Sequence, residues 1–321
     1  MTNKEKYREF CKKEKDIPIF SKDWWLDSVC GVDNWDVVLV EKGGQIWASW
    51  PYLLKKKFIF KISTMPPLTQ TLGIYIKYPE GQKYHNKLSW EKEIINELIE
   101  KFPKVDFFSQ NFHFSFTNWL PFYWKGFCQT TRYTYIIKDL ILKTEEDILS
   151  NIDSSYRNKI KKASKTIKIK DDLNIDEFYE INKKTFLRQN LNIPYNFNFL
   201  KNHDEILKEK NRRKIFYAID SNGNIHSSLY LTWDDFSSYV HMVGEDPELR
   251  KSGAGILLLF ESIMFTKKVL KLSEFNFEGS MIENIEIVRR SFGAIQKPYF
   301  NISKINSKLL KIGKCFKGVF Q

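Results

Sequence analysis

Few of the 321 residues are cysteine or histidine, and the chain has no long hydrophobic run. The four cysteines are widely separated and form no C-x-x-C pair, which predicts a reduced cytoplasmic protein without disulfides or structural zinc. The five histidines show no metal-binding spacing such as H-E-x-x-H, so we expect no bound metal. No apolar stretch approaches the roughly 20 residues of a membrane-spanning helix, and the polar N-terminus lacks the pattern of a secretory signal.

Acidic residues are fewer than basic ones, 39 against 51, and the net charge is +12. A basic protein suits phosphate-bearing partners such as nucleotides, RNA, acidic lipids or phosphorylated sugars, although a solvated, lysine-rich surface would have the same composition. Arg157–Lys170 follows a helix start at Asp153 and would contact tRNA phosphates, unless it is a solvated helix face. Residues 304–320 would lie on an anionic membrane near a lipid-linked acceptor, although two glycines weaken them as a helix.

Two hairpin patterns occur at similar places in the two halves of the chain. In each half, two apolar, β-rich runs flank a short turn, Gly-Gly in the first half and Asn-Gly in the second. The four predicted strands are Trp35–Glu41, Gln45–Leu53, Lys214–Ile219 and Ile225–Trp233.

The order of elements after each hairpin is also repeated. Each half continues with a helix, a strand and a last strand that follows a Gly-Phe or Phe-Gly pair. These elements are Ser89–Lys101, Val105–Ser109 and Thr131–Ile137 in the first half, and Gly255–Lys267, Ser273–Glu278 and Pro298–Ser303 in the second. We expect Glu91 to lie on an exposed face of the first of these helices. The repeat predicts an α/β (α+β) fold of two units, residues 1–140 and 141–321, each with a mixed central sheet flanked by helices.

A basic loop with two glycines joins a strand to a helix in the second half. The strand Ser237–Val243 precedes it, and the apolar helix begins at its end. Gly253 and Gly255 would let the backbone approach a ligand closely, and the start of the helix would offer N–H groups and a positive dipole to phosphate. A turn with a purely structural role would explain the same glycines.

The pattern Arg-x-x-Gly-x-Gly after a strand resembles the pyrophosphate cradle of the GNAT acyltransferase superfamily, which holds coenzyme A there. Tandem units of this order resemble the FemAB-type branch of that superfamily, which has two GNAT-like domains in one chain. Further segments that carry the resemblance are Arg157–Ala163 (RNKIKKA), Asn276–Met281 (NFEGSM) and Arg290–Gly293 (RSFG). The resemblance implies acyl or aminoacyl transfer to an amine, and the best-known members add amino acids from aminoacyl-tRNA to peptidoglycan precursors.

The donor is predicted from two departures from the peptidoglycan enzymes. The sequence shows no long heptad-patterned insertion, and it keeps the glycine loop, which a tRNA-dependent enzyme needs less. Both favour acyl-CoA as co-substrate, and hence an N-acyltransferase acting on an amino sugar or related amine in surface-polysaccharide synthesis. The alternatives are an aminoacyl-tRNA-dependent transferase of the cell-wall type and a non-catalytic scaffold or RNA-binding module. The oligomeric state stays open.

Transfer of an acyl group from a thioester to an amine has three requirements. The enzyme must bind the donor, stabilise the negative charge that develops on the carbonyl oxygen, and remove a proton from the amine. Arg250 and Lys251 would pair with phosphates, unless Arg250 forms only a surface ion pair with Glu248 or Asp246. Backbone N–H groups at the end of the preceding strand would stabilise the oxygen, as the resemblance implies. The predicted donor-binding residues are Val243, Gly244, Arg250, Lys251, Ser252, Gly253, Ala254 and Gly255.

Glu278 is the first candidate for the base. In the alternation SEFNFEG it shares a strand face with Asn276, and it stands at a strand end beside a glycine. Its alternative role is a structural bond to the loop Gly279-Ser280. Glu245, His241 and Asp234 are rivals, although a satisfied core histidine explains His241 better.

The first unit is predicted to bind the acceptor rather than the donor. Its counterpart of the glycine loop is Gln70-x-x-Gly73, and a strand-like run follows it instead of a helix start, so no helix dipole would face a phosphate there. Core packing explains most of the aromatic residues of 107–127, and the polar ones among them would line a groove. The predicted substrate-binding residues are Gln70, Gln110, Asn111 and Trp119, with Asp234 from the second unit.

Overall fold

A computed structural model describes residues 1–171, 173–279 and 281–316, without the side chains of 313–316. The strands are β1 (Trp35–Lys42), β2 (Gln45–Lys57), β3 (Phe60–Ser63), β4 (Tyr75–Ile76), β5 (Phe107–Asn111), β6 (Cys128–Ile137), β7 (Lys168–Lys170), β8 (Arg213–Ile219), β9 (Ile225–Trp233), β10 (Ser237–Glu245), β11 (Glu274–Asn276) and β12 (Ile295–Ile305). The helices are α1 (Asn3–Lys13), α2 (Asp23–Cys30), α3 (Tyr84–Lys101), α4 (Leu120–Trp124), α5 (Glu145–Asn151), α6 (Ser154–Ala163), α7 (Ile175–Leu187), α8 (Phe197–Glu209), α9 (Ala254–Phe265), α10 (Glu283–Ser291) and α11 (Lys308–Phe316).

The chain forms two compact units. Unit 1 contains Met1–Arg132 together with the residues from Pro298 onward, and unit 2 contains Tyr133–Lys297. None of the helices in the described part of the chain is long and apolar enough to cross a membrane.

Unit 1 contains a mixed sheet in the order β1-β2-β3-β5-β12, with β4 paired to β2. Only β3 and β5 are parallel among the pairs described there, and the others are antiparallel. Helix α3 follows the predicted amphipathic pattern, because Ile94, Ile95 and Leu98 are buried in a core with Trp50 and Phe108. Burial of such aliphatic and aromatic side chains contributes about 1.5–3 kcal/mol each.

Glu91 was predicted to be exposed on α3 and is buried instead. Its two carboxylate oxygens accept hydrogen bonds from Tyr78 Oη at 2.9 Å and from Asn118 Nδ2 at 2.8 Å. The helical pattern could not show these donors, because both come from other segments of the chain, and a buried carboxylate is tolerated only where such donors satisfy it.

Unit 2 contains a mixed sheet in the order β6-β11-β10-β9-β8-β7, in which β6 contributes Tyr133–Ile137. Only β10 and β11 are parallel among its described pairs. Helix α9 lies between these two strands in the chain and supplies Leu257, Leu258 and Ile263 to the core of the unit. The α9 backbone continues as one π-helical turn over Thr266–Leu270.

Both units repeat one order of elements, as the sequence predicts. A hairpin, a third strand, a loop, a helix and a strand parallel to the third one form β1-β2-β3-α3-β5 in unit 1 and β8-β9-β10-α9-β11 in unit 2. The predicted α/β class, with two tandem units that each carry a mixed sheet and flanking helices, is therefore confirmed.

The last strands of the two units are exchanged along the chain. Strand β12 follows unit 2 in sequence but pairs with β5 of unit 1, and the end of β6 follows unit 1 but pairs with β11 of unit 2. Polar pairs match each register, since Asn301 Nδ2 donates to Asn111 Oδ1 at 2.9 Å and Thr134 Oγ1 donates to Asn276 Oδ1 at 2.7 Å. The predicted ranges, 1–140 and 141–321, assigned β6 to the first unit and β12 to the second. The order of elements along the chain does not reveal the pairing partners of these two strands.

Candidate functional site

The glycine loop of unit 2 ends at the start of α9. Gly253 has the left-handed φ of 76°, and its carbonyl accepts from the N–H groups of Ile256 and Leu257 at 3.1 and 3.2 Å. A Cβ there would make only ordinary contacts with α6, such as 3.6 Å to Lys159 O, so backbone conformation rather than space favours glycine. The loop therefore presents the N-terminus of a 12-residue helix, as predicted.

Glu245 places its carboxylate against this helix start. Its Oε2 accepts from Arg250 Nε at 2.7 Å and from Arg188 Nη1 at 3.1 Å, and its Oε1 lies 3.3 Å from where a Cβ of Gly255 would be. Arg250 therefore forms an ion pair, as the alternative interpretation held, but with Glu245 instead of Glu248 or Asp246. Two guanidinium groups and the helix dipole stabilise this carboxylate. Glu245 therefore supplies a negative charge from the protein itself at the start of α9.

Ser252 braces the loop through its hydroxyl group. Its Oγ donates to Leu249 O at 2.8 Å and lies 2.9 Å from His226 Nδ1, while His226 Nε2 lies 3.2 Å from Asp220 Oδ2. The order Asp-His-Ser resembles a catalytic triad, but the hydroxyl hydrogen is already donated to a carbonyl. The chain of bonds therefore ties the loop to the β8–β9 turn, while Lys251 is exposed.

Helix α7 packs against the last residues of β10. A Cβ on Gly244 would lie 2.7 Å from Asn182 N, so only glycine permits this approach. Asn182 Nδ2 donates to Val243 O at 2.8 Å, and Glu245 N donates to Thr185 Oγ1 at 2.8 Å. Because the N–H and C=O of one strand residue point to the same side, the Val243 N–H also faces away from β9.

Strands β10 and β11 pair over only three residues in the described part of the chain. The last pair is Tyr239 with Asn276, and β10 continues beyond it to Glu245. The register with β9 shifts between Val240 and Met242, which makes His241 an extra residue in a β-bulge. Strand β10 therefore separates from β11 beyond this pair, and we refer to the separation as the β10–β11 split.

The predicted base Glu278 lies at this split, next to its rival His241. His241 Nδ1 donates to Glu278 Oε1 at 3.1 Å, since a carboxylate can only accept. The His241 side chain is 2% exposed and that of Glu278 is 15% exposed. Glu278 has a φ of 51°, unusual for a residue with a side chain, and its N–H donates to Asn276 Oδ1 at 2.9 Å. Its alternative role concerned Ser280, which lies outside the described residues.

A buried polar cluster that the sequence interpretation missed adjoins His241. The rings of His203 and Tyr230 lie 5.6 and 5.9 Å from the His241 ring, measured between centroids. Tyr230 Oη and Arg213 Nη2 donate to the two oxygens of Asp204, at 2.9 and 2.7 Å. The signal was present in α8, because Leu200 and Leu207 flank His203 at helical spacing and mark it as a buried position.

Burial shifts the protonation of this cluster. It holds the pKa of His203 well below its usual range, and the neighbouring His241 adds to the effect. It also raises the pKa of the Asp204 carboxyl, although Arg213 opposes that shift, and raises the pKa of Tyr230 well above its ordinary value. The side chains next to the His241–Glu278 pair thus favour neutral forms, apart from the ion pair between Asp204 and Arg213.

Asp234 lies far from the glycine loop. Its Oδ1 accepts from the N–H groups of Phe236 and Ser237, and its Oδ2 accepts from Tyr239 Oη at 2.7 Å. These bonds form the turn between β9 and β10, whereas Gly244 is near the other end of β10, roughly 23 Å away at the rise of a strand. The structure therefore gives Asp234 a place in the hairpin turn and does not bring it to the split.

The predicted acceptor residues of unit 1 mostly hold its backbone together. Gln110 is fully buried, accepts from Trp50 Nε1 at 2.8 Å and donates to Pro51 O at 3.3 Å. Asn111 Nδ2 donates to the carbonyl of Gln70 at 3.0 Å. Trp119 precedes α4 and packs on the core of the unit. Gln110 and Asn111 are thus engaged within unit 1, and only Gln110 of these four residues is buried, since Gln70, Asn111 and Trp119 are partly exposed.

A cleft of about 550 Å³ beside the loop has four carboxylates among its lining residues. Asp176, Glu177, Glu180 and Asp246 contribute to its wall, and Lys184 Nζ pairs with Asp246 at 2.6 Å. Such a lining repels phosphate. In the described part of the chain, no group of three or more His, Cys, Asp or Glu side chains is placed to hold a metal ion.

No model of a known protein family matches the sequence, and no curated protein matches it. Solved structures share its fold. FemX matches with a TM-score of 0.67 and 12% identity over 94% of this chain and 96% of FemX. L-PGS from Bacillus licheniformis matches with a TM-score of 0.54 and 10% identity, over 96% of this chain and 94% of L-PGS.

A tandem GNAT protein from the clavulanic acid biosynthesis pathway also matches, with a TM-score of 0.50 and 11% identity over 84% of this chain and 82% of that protein. At such identities the similarity shows the fold alone. The FemAB-like, tandem GNAT fold that the sequence predicts is therefore confirmed.

Proposed function

We propose that this protein is a GNAT-type transferase that moves an aminoacyl group from aminoacyl-tRNA to the amine of a cell-envelope acceptor. The observation that carries the proposal is the β10–β11 split, which has a hydrogen-bonded His241–Glu278 pair on one side and an outward-facing Val243 N–H on the same strand. An oxyanion donor and a helix N-terminus thereby lie on the continuous β10–loop–α9 segment, and the proton acceptor Glu278 lies beside it, just after β11.

In this mechanism the amine attacks the carbonyl carbon of the aminoacyl ester. The Val243 N–H stabilises the negative charge that develops on the carbonyl oxygen. Glu278 accepts the proton that the amine loses, and His241 fixes the orientation of that carboxylate. The ester bond to the ribose then breaks, an amide bond remains, and the proton passes to the leaving ribose hydroxyl group.

The surroundings of the loop support tRNA over acyl-CoA as the donor. The Glu245 carboxylate lies at the glycine loop, where GNAT enzymes would bind the pyrophosphate of coenzyme A. The neighbouring cleft is acidic. Helix α6, whose lysines are exposed, adjoins the loop, since Lys159 O is 3.6 Å from the position of a Gly253 Cβ. A tRNA backbone would contact such a basic surface without entering the acidic cleft.

Acyl-CoA is the second candidate donor, which the sequence interpretation preferred. The left-handed Gly253 and the N-terminus of α9 favour it, because these features bind pyrophosphate well once an anion there is displaced. The acceptor in both cases is an amine, lipid-linked or small. An amino sugar is one member of that class.

Donor protection tests the proposal. Thermal unfolding is followed with aminoacyl-tRNA, uncharged tRNA, coenzyme A and acyl-CoAs, since a ligand at about 100 times its Kd raises stability by about 2.7 kcal/mol. Protection by aminoacyl-tRNA, with none from the thioesters, is the expected result. Protection by acyl-CoA alone would overturn the choice of donor, and absence of protection by either class would contradict transfer altogether.

A further inference from the structure

The turn between β2 and β3 exposes two large apolar side chains where turn residues are normally polar or small. Phe58 is 85% exposed and Ile59 is 73% exposed. They form a two-residue loop, for which glycine, asparagine and aspartate are preferred. Phe58 has a φ of 55°, a conformation that is strained for a bulky side chain. An exposed and strained apolar turn indicates a selected contact surface rather than a turn optimised for stability.

Lysines surround this turn. Lys55, Lys56 and Lys57 precede it and Lys61 follows it, and all four are exposed. Lys56 and Lys61 are direct cross-strand partners, an arrangement that is unfavourable without an anion nearby. The charge pattern therefore calls for a partner that is both apolar and negatively charged.

Helix α11 begins beside the same hairpin within unit 1. Asp106 links the two, because its N–H donates to Lys61 O at 2.8 Å and its carbonyl accepts from Asn306 N at 2.8 Å. On α11, Leu309 is 64% exposed and Ile312 is 58% exposed, next to Lys308 and Lys311. A second element thus adds the same combination of apolar and basic side chains, although the end of the basic tail, 317–321, lies outside the described residues.

We propose that the β2–β3 hairpin, together with the start of α11, inserts Phe58 and Ile59 into the interface of an anionic lipid bilayer. Apolar side chains enter the boundary between headgroups and acyl chains, while the lysines remain among the anionic headgroups. RNA fits less well, because isoleucine and leucine offer neither a ring for stacking nor a hydrogen-bonding group. A second copy of the chain would bring like charges together.

Vesicle co-sedimentation tests the proposal without donor or acceptor, so its outcome is independent of the transfer reaction. We expect binding to vesicles of phosphatidylcholine mixed with phosphatidylglycerol, weaker binding to phosphatidylcholine alone, and loss of binding at high salt. The double variant Phe58→Gly with Ile59→Ser should bind at least about tenfold more weakly. It supplies the residues that such a turn prefers, so its melting temperature should not fall. Lys56→Gln should weaken binding about fivefold.

Tyr84→Ser is the matched control, because it removes an equally exposed aromatic side chain at the far end of α3, a helix about 27 Å long. It should bind vesicles as the wild type does. Equal binding by the wild type and the double variant would overturn the proposal. A single-stranded RNA probe that binds the wild type but not the double variant, with vesicle binding unchanged, would reassign the hairpin to RNA and also overturn it.

Discussion

The two units differ most at the place where the third strand leaves its parallel neighbour. In unit 1, the chain after β3 returns to the end of β5, where Leu72 bridges Phe112 and Leu72 N donates to Asn111 O. In unit 2, the corresponding gap between β10 and β11 is crossed by the side chains of His241 and Glu278. The gap is thus closed by backbone in one unit and crossed by two side chains in the other.

The glycines of the two loops show the same contrast. Gly73 has a φ of 82°, and a Cβ there would lie 2.6 Å from the ring of Phe112, so its role is to admit a core aromatic side chain. Gly253 has a similar φ but meets only ordinary contacts, and it starts a helix. Helix α3 of unit 1 starts only at Tyr84, well after Gly73. The same residue type therefore serves packing in one unit and presents a helix end in the other.

The largest expected effect is on the base of unit 2. Glu278→Gln removes the proton acceptor but keeps the size of the side chain, so the turnover of the transfer reaction should fall by about a hundredfold to ten-thousandfold. Donor protection should persist, and Glu283→Gln on the exposed start of α10 is the control. Steady-state kinetics as a function of pH are the measurement. Full turnover in the Glu278→Gln variant would remove this carboxylate from the mechanism.

The second expected effect is a difference in folding stability between alanine variants of the two glycines. Gly73→Ala should destabilise the protein by about 1–3 kcal/mol more than Gly253→Ala does, because both variants strain the backbone but only the first collides with Phe112. Denaturant unfolding measures the difference. Gly81→Ala, which has positive φ and open space around its Cβ position, gives the cost of the backbone alone. Equal losses at Gly73 and Gly253 would contradict the contrast.

The third effect is on donor binding at the loop. Gly253→Asp places an anion at the helix start, and it should weaken donor binding about fivefold to tenfold compared with Gly253→Asn. Both replacements tolerate left-handed φ, so the pair differs in charge alone. Filter binding of aminoacyl-tRNA measures the effect. Gly81→Asp, at an open position of unit 1, should bind aminoacyl-tRNA as the wild type does. Equal binding by the two Gly253 variants would contradict a phosphate contact at this loop.

The smallest effect is the pH dependence of unit 2. Burial lowers the pKa of His203, so below about 6.5 the unfolded chain binds a proton that the folded chain does not. Stability should therefore fall as pH drops from about 6.5 towards the folded-state pKa, by at most about 1.4 kcal/mol per pH unit. His203→Asn should flatten that part of a melting-temperature curve, whereas His85→Asn on exposed α3 should not. Parallel curves for the wild type and His203→Asn would refute this assignment.

Element order, hairpins and the start of α9 were accessible from the sequence because they follow from local patterns. Apolar periodicity marks α3, a continuous apolar run after the glycine loop marks α9, and an Asn-Gly pair marks the β8–β9 turn. The position of Glu278 at the end of β11 was also accessible from the strand alternation. Each of these features depends on residues that are close together in the chain.

The features that could not be predicted depend on residues that are far apart in the sequence. Glu245 accepts from Arg188, the residue that follows α7, and Glu91 accepts from Tyr78 and Asn118, through packing that no local pattern encodes. The pairing of His241 with Glu278 requires both the bulge in β10 and the register of β11. The exchange of β6 and β12 is likewise set by cross-strand matches such as Asn301 with Asn111.

That exchange has a consequence for the order in which the molecule forms on the ribosome. Unit 2 has its sixth strand, β6, before the rest of its sheet is synthesised, whereas unit 1 lacks β12 until nearly all of unit 2 has emerged. The contact between Asn111 and Asn301 spans 190 residues, so closing the sheet of unit 1 requires a late and long-range search. The unit that is translated first is therefore the one completed last, the reverse of the usual N-terminal-first sequence.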